Sequence, residues 1–262
     1  MRSLKQFIAF TTCVFLTGNA LGQPTGYGIM SQSLNRSTIE TMEADLKLIL
    51  QTSTGGTRQR EIKFYSKTDA ESDQTKMLMR FVYPQDVRGT GFLSLEYTDR
   101  PDDRFLYMPA LRQIKKIASS GSGGNFMSSD FTYYDIGTPE LEDWNYQLLR
   151  EETLAGREAY VIECLPGTAQ IAEDTGYSKV IRWVAKDDLS IFHSEYYDAS
   201  GELKKRLEVE KFEMINDSPF ATEMVMHDVI IDHTSRMIFE NLEVNKPIRD
   251  SFFTPRMLQR GN

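Results

Sequence analysis

Histidine is the residue type in this sequence that most readily supports metal binding or proton transfer near neutral pH. There are three, His193, His227 and His233. His227 and His233 share one parity of a predicted strand, so about 20 Å of extended chain separates them unless the strand bends. The ligands of one metal ion must lie far closer together than that. The spacing favours ordinary strand histidines, and we predict no metal site.

Nucleophilic and phosphate-transfer chemistry also lack their usual signatures. The sequence has no G-x-S-x-G elbow, and Ser122, between Gly121 and Gly123, does not fall between a predicted strand and a predicted helix. The same loop lacks the Gly-Lys-Ser/Thr that cradles phosphates. We interpret it as a flexible connector. No catalytic residue and no cofactor is predicted.

Carboxylates are plentiful but not arranged for catalysis. The acidic clusters at 99–103 and 140–143 are typical of solvated surface, and nothing singles out two acids as a glycosidase pair. Asp130 and Asp135 differ because they flank Phe131 and Tyr134. We expect serine or aspartate at 128–130 to cap a short helix, in preference to acid–base chemistry.

The N-terminus has the pattern of a secretory signal. Arg2 and Lys5 precede an apolar run, residues 7–16, that is too short to span a bilayer. Small residues at Ala20 and Gly22 then suit signal peptidase. We predict that residues 1–22 are a cleaved signal peptide and that the chain from Gln23 onwards is periplasmic. An uncleaved anchor and lipidation at Cys13 are the less favoured alternatives.

The net charge and the cysteine content exclude some classes of binding partner and an intrachain disulfide. Loss of Arg2 and Lys5 takes the formal net charge from −8 to −10. Such an acidic chain without a basic block is a poor binder of nucleic acid and has little reason to adhere to a membrane surface of anionic lipid headgroups. Cys164 would be the only cysteine left, so no intrachain disulfide is possible, and its sequence neighbourhood favours a small buried hydrophobe.

A two-residue hydrophobic period dominates the elements that must position any site. In the run 77–83, Met77, Met79 and Phe81 share one face while the other face is also apolar, which indicates cover on both sides. Turn signals separate further predicted strands at 144–150, 158–165, 178–185, 190–197, 202–214, 222–232 and 236–244. Short helices are predicted near 27–34 and 254–258. The predicted fold is mainly β (α+β): one long, bent antiparallel sheet.

The stretch 104–135 suggests a cover over an apolar cavity. A Ser/Gly loop leads into an aromatic segment at 126–134, and we predict Gly121, Gly123 and Gly124 as the hinge of a moving lid. The chain also has 12 methionines, which make adaptable apolar surface, although core filling explains each one singly. The predicted ligand-binding residues of the cavity and lid are Met77, Met79, Phe81, Leu93, Leu95, Tyr97, Phe126, Met127, Phe131, Tyr134, Met224 and Met226.

A series of short motifs runs in order along most of the chain. They are PQDVRGTGFL at 84–93, FLYMPALR at 105–112, FMSSDF at 126–131, YYD at 133–135, a turn with Tyr197, Asp198, Gly201 and Lys204, and FFT at 252–254. In this series the chain resembles the outer-membrane lipoprotein-sorting proteins of the LolA-like superfamily, in the branch associated with RND-type permeases. One departure is that Ser128 replaces the glycine of the family's Phe-Met-Gly-Ser-Asp.

The resemblance implies a fold, a role and partners. Residues 23–262 would form one incomplete antiparallel β-barrel whose apolar concave face is covered by short helices. The role would be to carry acyl chains of lipoproteins or other lipids across the periplasm, without enzymatic activity. An inner-membrane RND-type permease would be the donor-side partner, with an outer-membrane acceptor beyond it. The alternative from another class is an envelope-stress sensor that binds lipidated or misfolded protein.

Overall fold

The computed structural model describes residues 24–69, 72, 74–138 and 140–259, so the predicted signal peptide and Cys13 lie outside it. Its α-helices are α1 (Gly26–Leu34), α2 (Ala169–Thr175) and α3 (Pro255–Leu258). No helix in this part of the chain is long and apolar enough to cross a membrane. The strands are β1 (Thr41–Gln51), β2 (Thr57–Thr68), β3 (Thr75–Tyr83), β4 (Gly91–Leu95), β5 (Asp103–Met108), β6 (Gln113–Ile117), β7 (Trp144–Leu154), β8 (Arg157–Pro166), β9 (Lys179–Ala185), β10 (Ile191–Tyr197), β11 (Leu203–Ile215), β12 (Ser218–Asp228) and β13 (His233–Val244).

These strands form one antiparallel sheet in the order β6-β5-β4-β3-β2-β1-β13-β12-β11-β10-β9-β8-β7. β6 and β7 are its two edges, so the sheet does not close on itself. Right-handed twist, together with register shifts such as the one between Glu43 and Asp45, curls the sheet into an incomplete barrel. The predicted fold class is thereby confirmed.

The concave face of the curled sheet is apolar. Strict alternation along β1 buries Leu46, Leu48 and Leu50 on this face, and Ile29 and Met30 of α1 pack into the same cluster. Each such side chain contributes roughly 1.5–3 kcal/mol on leaving water. Gly26 brings α1 close to the sheet, because a Cβ there would lie 2.8 Å from the Leu148 backbone nitrogen. We call this cluster the interior.

The convex face carries a separate apolar cluster beside β3 and β4. Leu78 and Leu93 are buried there against Phe253 and Leu258 of the C-terminal segment. This confirms that β3 is covered on both faces. It also corrects the prediction for Leu93 and Leu95, which lie in this convex cluster. Because side chains alternate along β4, its interior side chain is Phe92.

Most of the turns lie where residues typical of turns occur in the sequence. Ala155 and Gly156 both have positive φ and join β7 to β8, and Asn216 and Asp217 do the same between β11 and β12. The predicted helices near 27–34 and 254–258 are present. The predicted strand 222–232 is wrong at its C-terminal end, because β12 stops at Asp228.

That boundary changes the histidine geometry. His227 lies on β12 and His233 on β13, on opposite sides of a hairpin turn, instead of six residues apart along one strand. Their side chains have separate partners. His227 Nε2 lies 3.0 Å from Asp232 Oδ1, whereas His233 Nδ1 lies 2.7 Å from Asp130 Oδ2.

Candidate functional site

The candidate site is the interior together with the segment that crosses it. Residues 118–138, which we call the covering segment, follow edge strand β6 and lead towards the opposite edge strand, β7. The segment contains no α-helix, only short 3-10 turns. Its Phe126 and Phe131 are buried in the interior, and the Phe126 ring packs at 5.4 Å from that of Phe92. The covering segment therefore fills the concave face with its own side chains.

The loop predicted as a hinge is held in place in this structure. Ser119–Gly121 form a 3-10 turn, and the Ser122 hydroxyl donates to the Asp174 carbonyl of α2 at 2.7 Å. A Cβ at Gly123 would lie 2.9 Å from the Thr175 carbonyl oxygen, so glycine permits this close approach. Gly121, Gly123 and Gly124 thus form a docked corner of the covering segment, and a hinge role for them stays a prediction.

Asp130 anchors the middle of the covering segment to β13. Its carboxylate accepts from the Ser235 hydroxyl at 2.6 Å and from His233 Nδ1 at 2.7 Å, and its backbone N–H donates to Ser235 at 2.9 Å. No α-helix starts at 128–130, so the predicted helix-capping role is wrong for Asp130. In these contacts the Asp130 carboxylate lies between the serine and the histidine, whereas in a catalytic triad the histidine lies between the serine and the carboxylate.

A buried lysine reinforces this anchor from β11. Lys205 is 0% exposed, and its ammonium donates to the Asp130 carbonyl at 2.6 Å. It also lies 3.9 Å from an Asp135 carboxylate oxygen, which in turn accepts from the Tyr177 hydroxyl at 2.8 Å. Burial lowers the pKa of Lys205. These polar contacts tie the covering segment to the sheet through side chains, since the only ladder contact that it makes with the described residues is the Asn125–Thr132 bridge within the segment itself.

The tip of the covering segment is a left-handed turn. Met127 and Ser128 have φ of 47° and 60°, and the Arg60 guanidinium donates to the Met127 carbonyl. A serine at positive φ is less favourable than glycine by about 1 kcal/mol. The glycine expected here from the resemblance is therefore explained by backbone conformation, and Ser128 costs the chain some stability.

The far end of the covering segment rests on Glu96, which follows β4. Both carboxyl oxygens lie 3.3 Å from the Thr138 backbone N–H, which donates to them. Glu96 is 4% exposed, and burial, reinforced by nearby Asp102, raises its pKa to about 7 although Arg104 acts in the opposite direction. The carboxyl is therefore partly protonated near neutral pH.

We expect Glu96→Gln to stabilise the protein above neutral pH and to leave stability nearly unchanged near pH 4. Because the folded-state pKa is raised, wild-type stability falls as pH rises from the ordinary value of 4.5 towards 7. At pH values above about 7, the unfolding free energy of the variant should exceed that of wild type by roughly 3 kcal/mol. Urea denaturation of both proteins at about pH 4, 6 and 8 measures it. A difference that does not vary with pH would contradict the assignment.

The structure brings only part of the predicted ligand-binding set together. Met77, Met79, Phe81, Phe126, Phe131 and Met226 are buried in the interior, with Met127, Tyr134 and Met224 at its margin. Leu93 and Leu95 lie on the convex face, and Tyr97 stacks under the Arg100 guanidinium at 3.4 Å. Phe92 and Lys205 were missed from the sequence, and His233 was interpreted there as an ordinary strand histidine. Strand alternation could have identified Phe92, and a charged residue at an interior position could have identified Lys205.

The interior reaches a solvent-exposed cleft at the β11–β13 side of the sheet. The cleft has a volume of about 540 Å³, and its lining includes Phe239 and Leu242, which also pack against the interior. Charged side chains, among them Glu223 and Glu240, surround these apolar residues. Phe239 also packs edge-on against Phe64 and Phe220, with ring centroids 5.3 and 5.6 Å apart. Apolar surface continuous with the interior is thus accessible from this side.

Comparison with known proteins identifies one matching family model and several solved structures of the same fold. The model of a family described as "-like: Uncharacterized protein" matches residues 73–260. No curated protein matches the sequence. A domain from Vibrio parahaemolyticus assigned to the outer membrane lipoprotein-sorting proteins is 28% identical with a TM-score of 0.84, over 90% of this chain and 98% of that one.

Two further structures agree with the first. A DUF1329 family protein from Desulfovibrio piger is 26% identical with a TM-score of 0.83, over 90% of this chain and 99% of its own. A LolA superfamily protein from Nitrosomonas europaea, 20% identical, shares the fold with a TM-score of 0.69, over 89% of this chain and 99% of its own. The chain therefore belongs to the family of that model, and it shares its fold with the lipoprotein-sorting, DUF1329 and LolA superfamily structures.

Proposed function

We propose that this protein is a non-enzymatic periplasmic carrier that shelters acyl chains of lipoproteins or other lipids in its interior. The observation that carries the proposal is the construction of the covering segment. It places Phe126 and Phe131 in the apolar interior of an unclosed sheet, yet polar side-chain contacts at Asp130 and Glu96 hold it in place. A cover attached in this way can move outward without breaking the sheet.

Magnitudes show why a filled interior suits a carrier. Transfer of a 16-carbon chain out of water gains about 13 kcal/mol at ~0.8 kcal/mol per methylene, which would make release very slow. In this protein a ligand must displace Phe126 and Phe131. Returning two such side chains to water costs roughly 3–6 kcal/mol. The protein's own side chains thus compete with cargo and keep the net affinity within a range that permits transfer.

The proposed partners come from the superfamily resemblance. Cargo would enter from an inner-membrane RND-type permease and pass to an outer-membrane acceptor. The similarity to the V. parahaemolyticus domain, which is assigned to lipoprotein sorting, supports a lipoprotein as cargo. The order of the Ser235, Asp130 and His233 contacts, unlike that of a triad, supports carriage over hydrolysis.

Native mass spectrometry of protein purified from the periplasm tests the proposal. We expect a mass increment from a bound acyl lipid that disappears after delipidation. Re-addition of a 16-carbon fatty acid should restore a one-to-one complex. A delipidated protein that stays folded and binds neither fatty acid nor phospholipid would contradict the carrier role.

A further inference from the structure

Arg182 is a charged residue in an otherwise apolar stretch of β9. Val180 and Val184, two residues to either side, are buried in the interior, so alternation places Arg182 on the same face. Its direct neighbours across the sheet are Ile162 of β8 and Ser194 of β10. Arg182 as a whole is half-buried. A cation is therefore positioned on the wall of the proposed lipid site.

No carboxylate of the described residues lies within ion-pair distance of Arg182. Among the described residues it forms no ion pair, and the largest electrostatic influences on it come from the phenols of Tyr134, Tyr146 and Tyr196 and from the Cys164 thiol, which also accepts a hydrogen bond from it. Burial raises the pKa of Cys164 to about 11 and those of the tyrosines as well, so all four groups are neutral near pH 7. A partly desolvated cation without an anion is unfavourable.

Ser194 is a second, independent sign of a missing ligand. It is 0% exposed, and its hydroxyl, although close enough to Tyr196 to act on the pKa of that phenol, has no hydrogen-bond partner of normal geometry among the described residues. It lies directly opposite Arg182 in the β9–β10 pairing. Buried hydroxyl groups nearly always have a partner. An unused donor beside an uncompensated guanidinium suits an oxyanion, which accepts hydrogen bonds from both.

We propose that Arg182 and Ser194 bind the anionic head of the cargo, a carboxylate or a phosphate at the end of an acyl chain, and so select acidic lipids over neutral ones. This inference rests on the proposed carrier function. Tyr134, which belongs to the covering segment, borders the site, and its hydroxyl accepts from Trp144 Nε1 at 2.7 Å. Outward movement of the covering segment therefore opens the head-group site and the apolar interior together.

Binding of three ligands that share a 14-carbon chain tests the assignment on the intact protein. The ligands are myristate, tetradecyl phosphate and 1-tetradecanol, each measured by displacement of a fluorescent fatty acid. We expect one or both anions to bind roughly 10- to 100-fold more tightly than the alcohol, the range of a charge-assisted hydrogen bond. The stronger of the two anions distinguishes a carboxylate cargo from a phosphate cargo.

Variants then locate the preference. Arg182→Gln should bring the anions to about the affinity of the alcohol, and Ser194→Ala should weaken them a few-fold, both with alcohol binding unchanged. Lys179→Gln is the matched control, because it removes a positive charge from the opposite face of the same strand. Arg182→Lys keeps the charge and should retain part of the preference for anions. It replaces Arg182→Gln in the comparison if Arg182→Gln melts at a much lower temperature than wild type.

The outcomes separate the two proposals. If wild type binds all three ligands equally, or if the preference survives in both Arg182→Gln and Ser194→Ala, the head-group site is overturned while the carrier stands. If none of the three ligands binds, the carrier function itself fails.

Discussion

A disulfide between positions 130 and 235 is expected to abolish acyl uptake while it is oxidised and to restore uptake when it is reduced. The Ser235 hydroxyl lies 2.6 Å from an Asp130 carboxylate oxygen and 2.9 Å from the Asp130 backbone nitrogen, so the two positions are close enough for Asp130→Cys and Ser235→Cys to form a disulfide. The bond would fix the covering segment to β13 with Phe126 and Phe131 inside. Binding of a fluorescent fatty acid with and without reductant measures the effect.

The reduced double variant is the internal control for this experiment. It lacks the Asp130 contacts, so its covering segment should open at least as readily as in wild type. Cys164 is 1% exposed and should not exchange with the new pair. The single variant Ser235→Cys, treated identically, controls for oxidation itself. If the oxidised protein binds the fatty acid as well as the reduced one, the covering segment does not gate the interior.

Much of the fold was accessible from the sequence because it depends on local alternation and turn chemistry. The period of two in β1 and β3 identifies strands, and the Ala155-Gly156 and Asn216-Asp217 turns fix two hairpins. Where no glycine or proline marked the turn, as at residues 229–232, the strand boundary was misplaced. That error placed His227 and His233 on one strand, when they occupy two.

The contacts within the site could not be derived in the same way. In the sequence, Lys205 lies 75 residues and Ser235 lies 105 residues from Asp130, so only the sheet order brings the three together. The sequence suggested a loose Ser/Gly hinge at 119–124, but docking on α2 depends on tertiary contacts at Ser122. Arg182, like Lys205, had a signal in the sequence, because it is a lone arginine between apolar residues.

Lys205→Met should produce the largest loss of stability among single changes in the anchor. The ammonium is fully buried, and its removal leaves the Asp130 carbonyl without this donor and the Asp135 carboxylate without its nearest cation. Breaking a buried charged interaction from one side costs about 3–5 kcal/mol. Urea denaturation followed by far-UV circular dichroism gives the unfolding free energy. Lys204→Met, one residue away and half-buried, should change it by no more than about 0.5 kcal/mol.

A second substitution distinguishes loss of the charge interaction from loss of packing. If the uncompensated carboxylate causes the instability, Asp135→Asn in the Lys205→Met background should recover part of the lost free energy, since neither charge then remains unpaired. Asp135→Asn alone should be destabilising, because Lys205 then keeps no carboxylate within ion-pair distance among the described residues. Fully additive losses in the double variant would show that the two groups are not coupled. Coupling would place the energetic link between the covering segment and the sheet at this lysine.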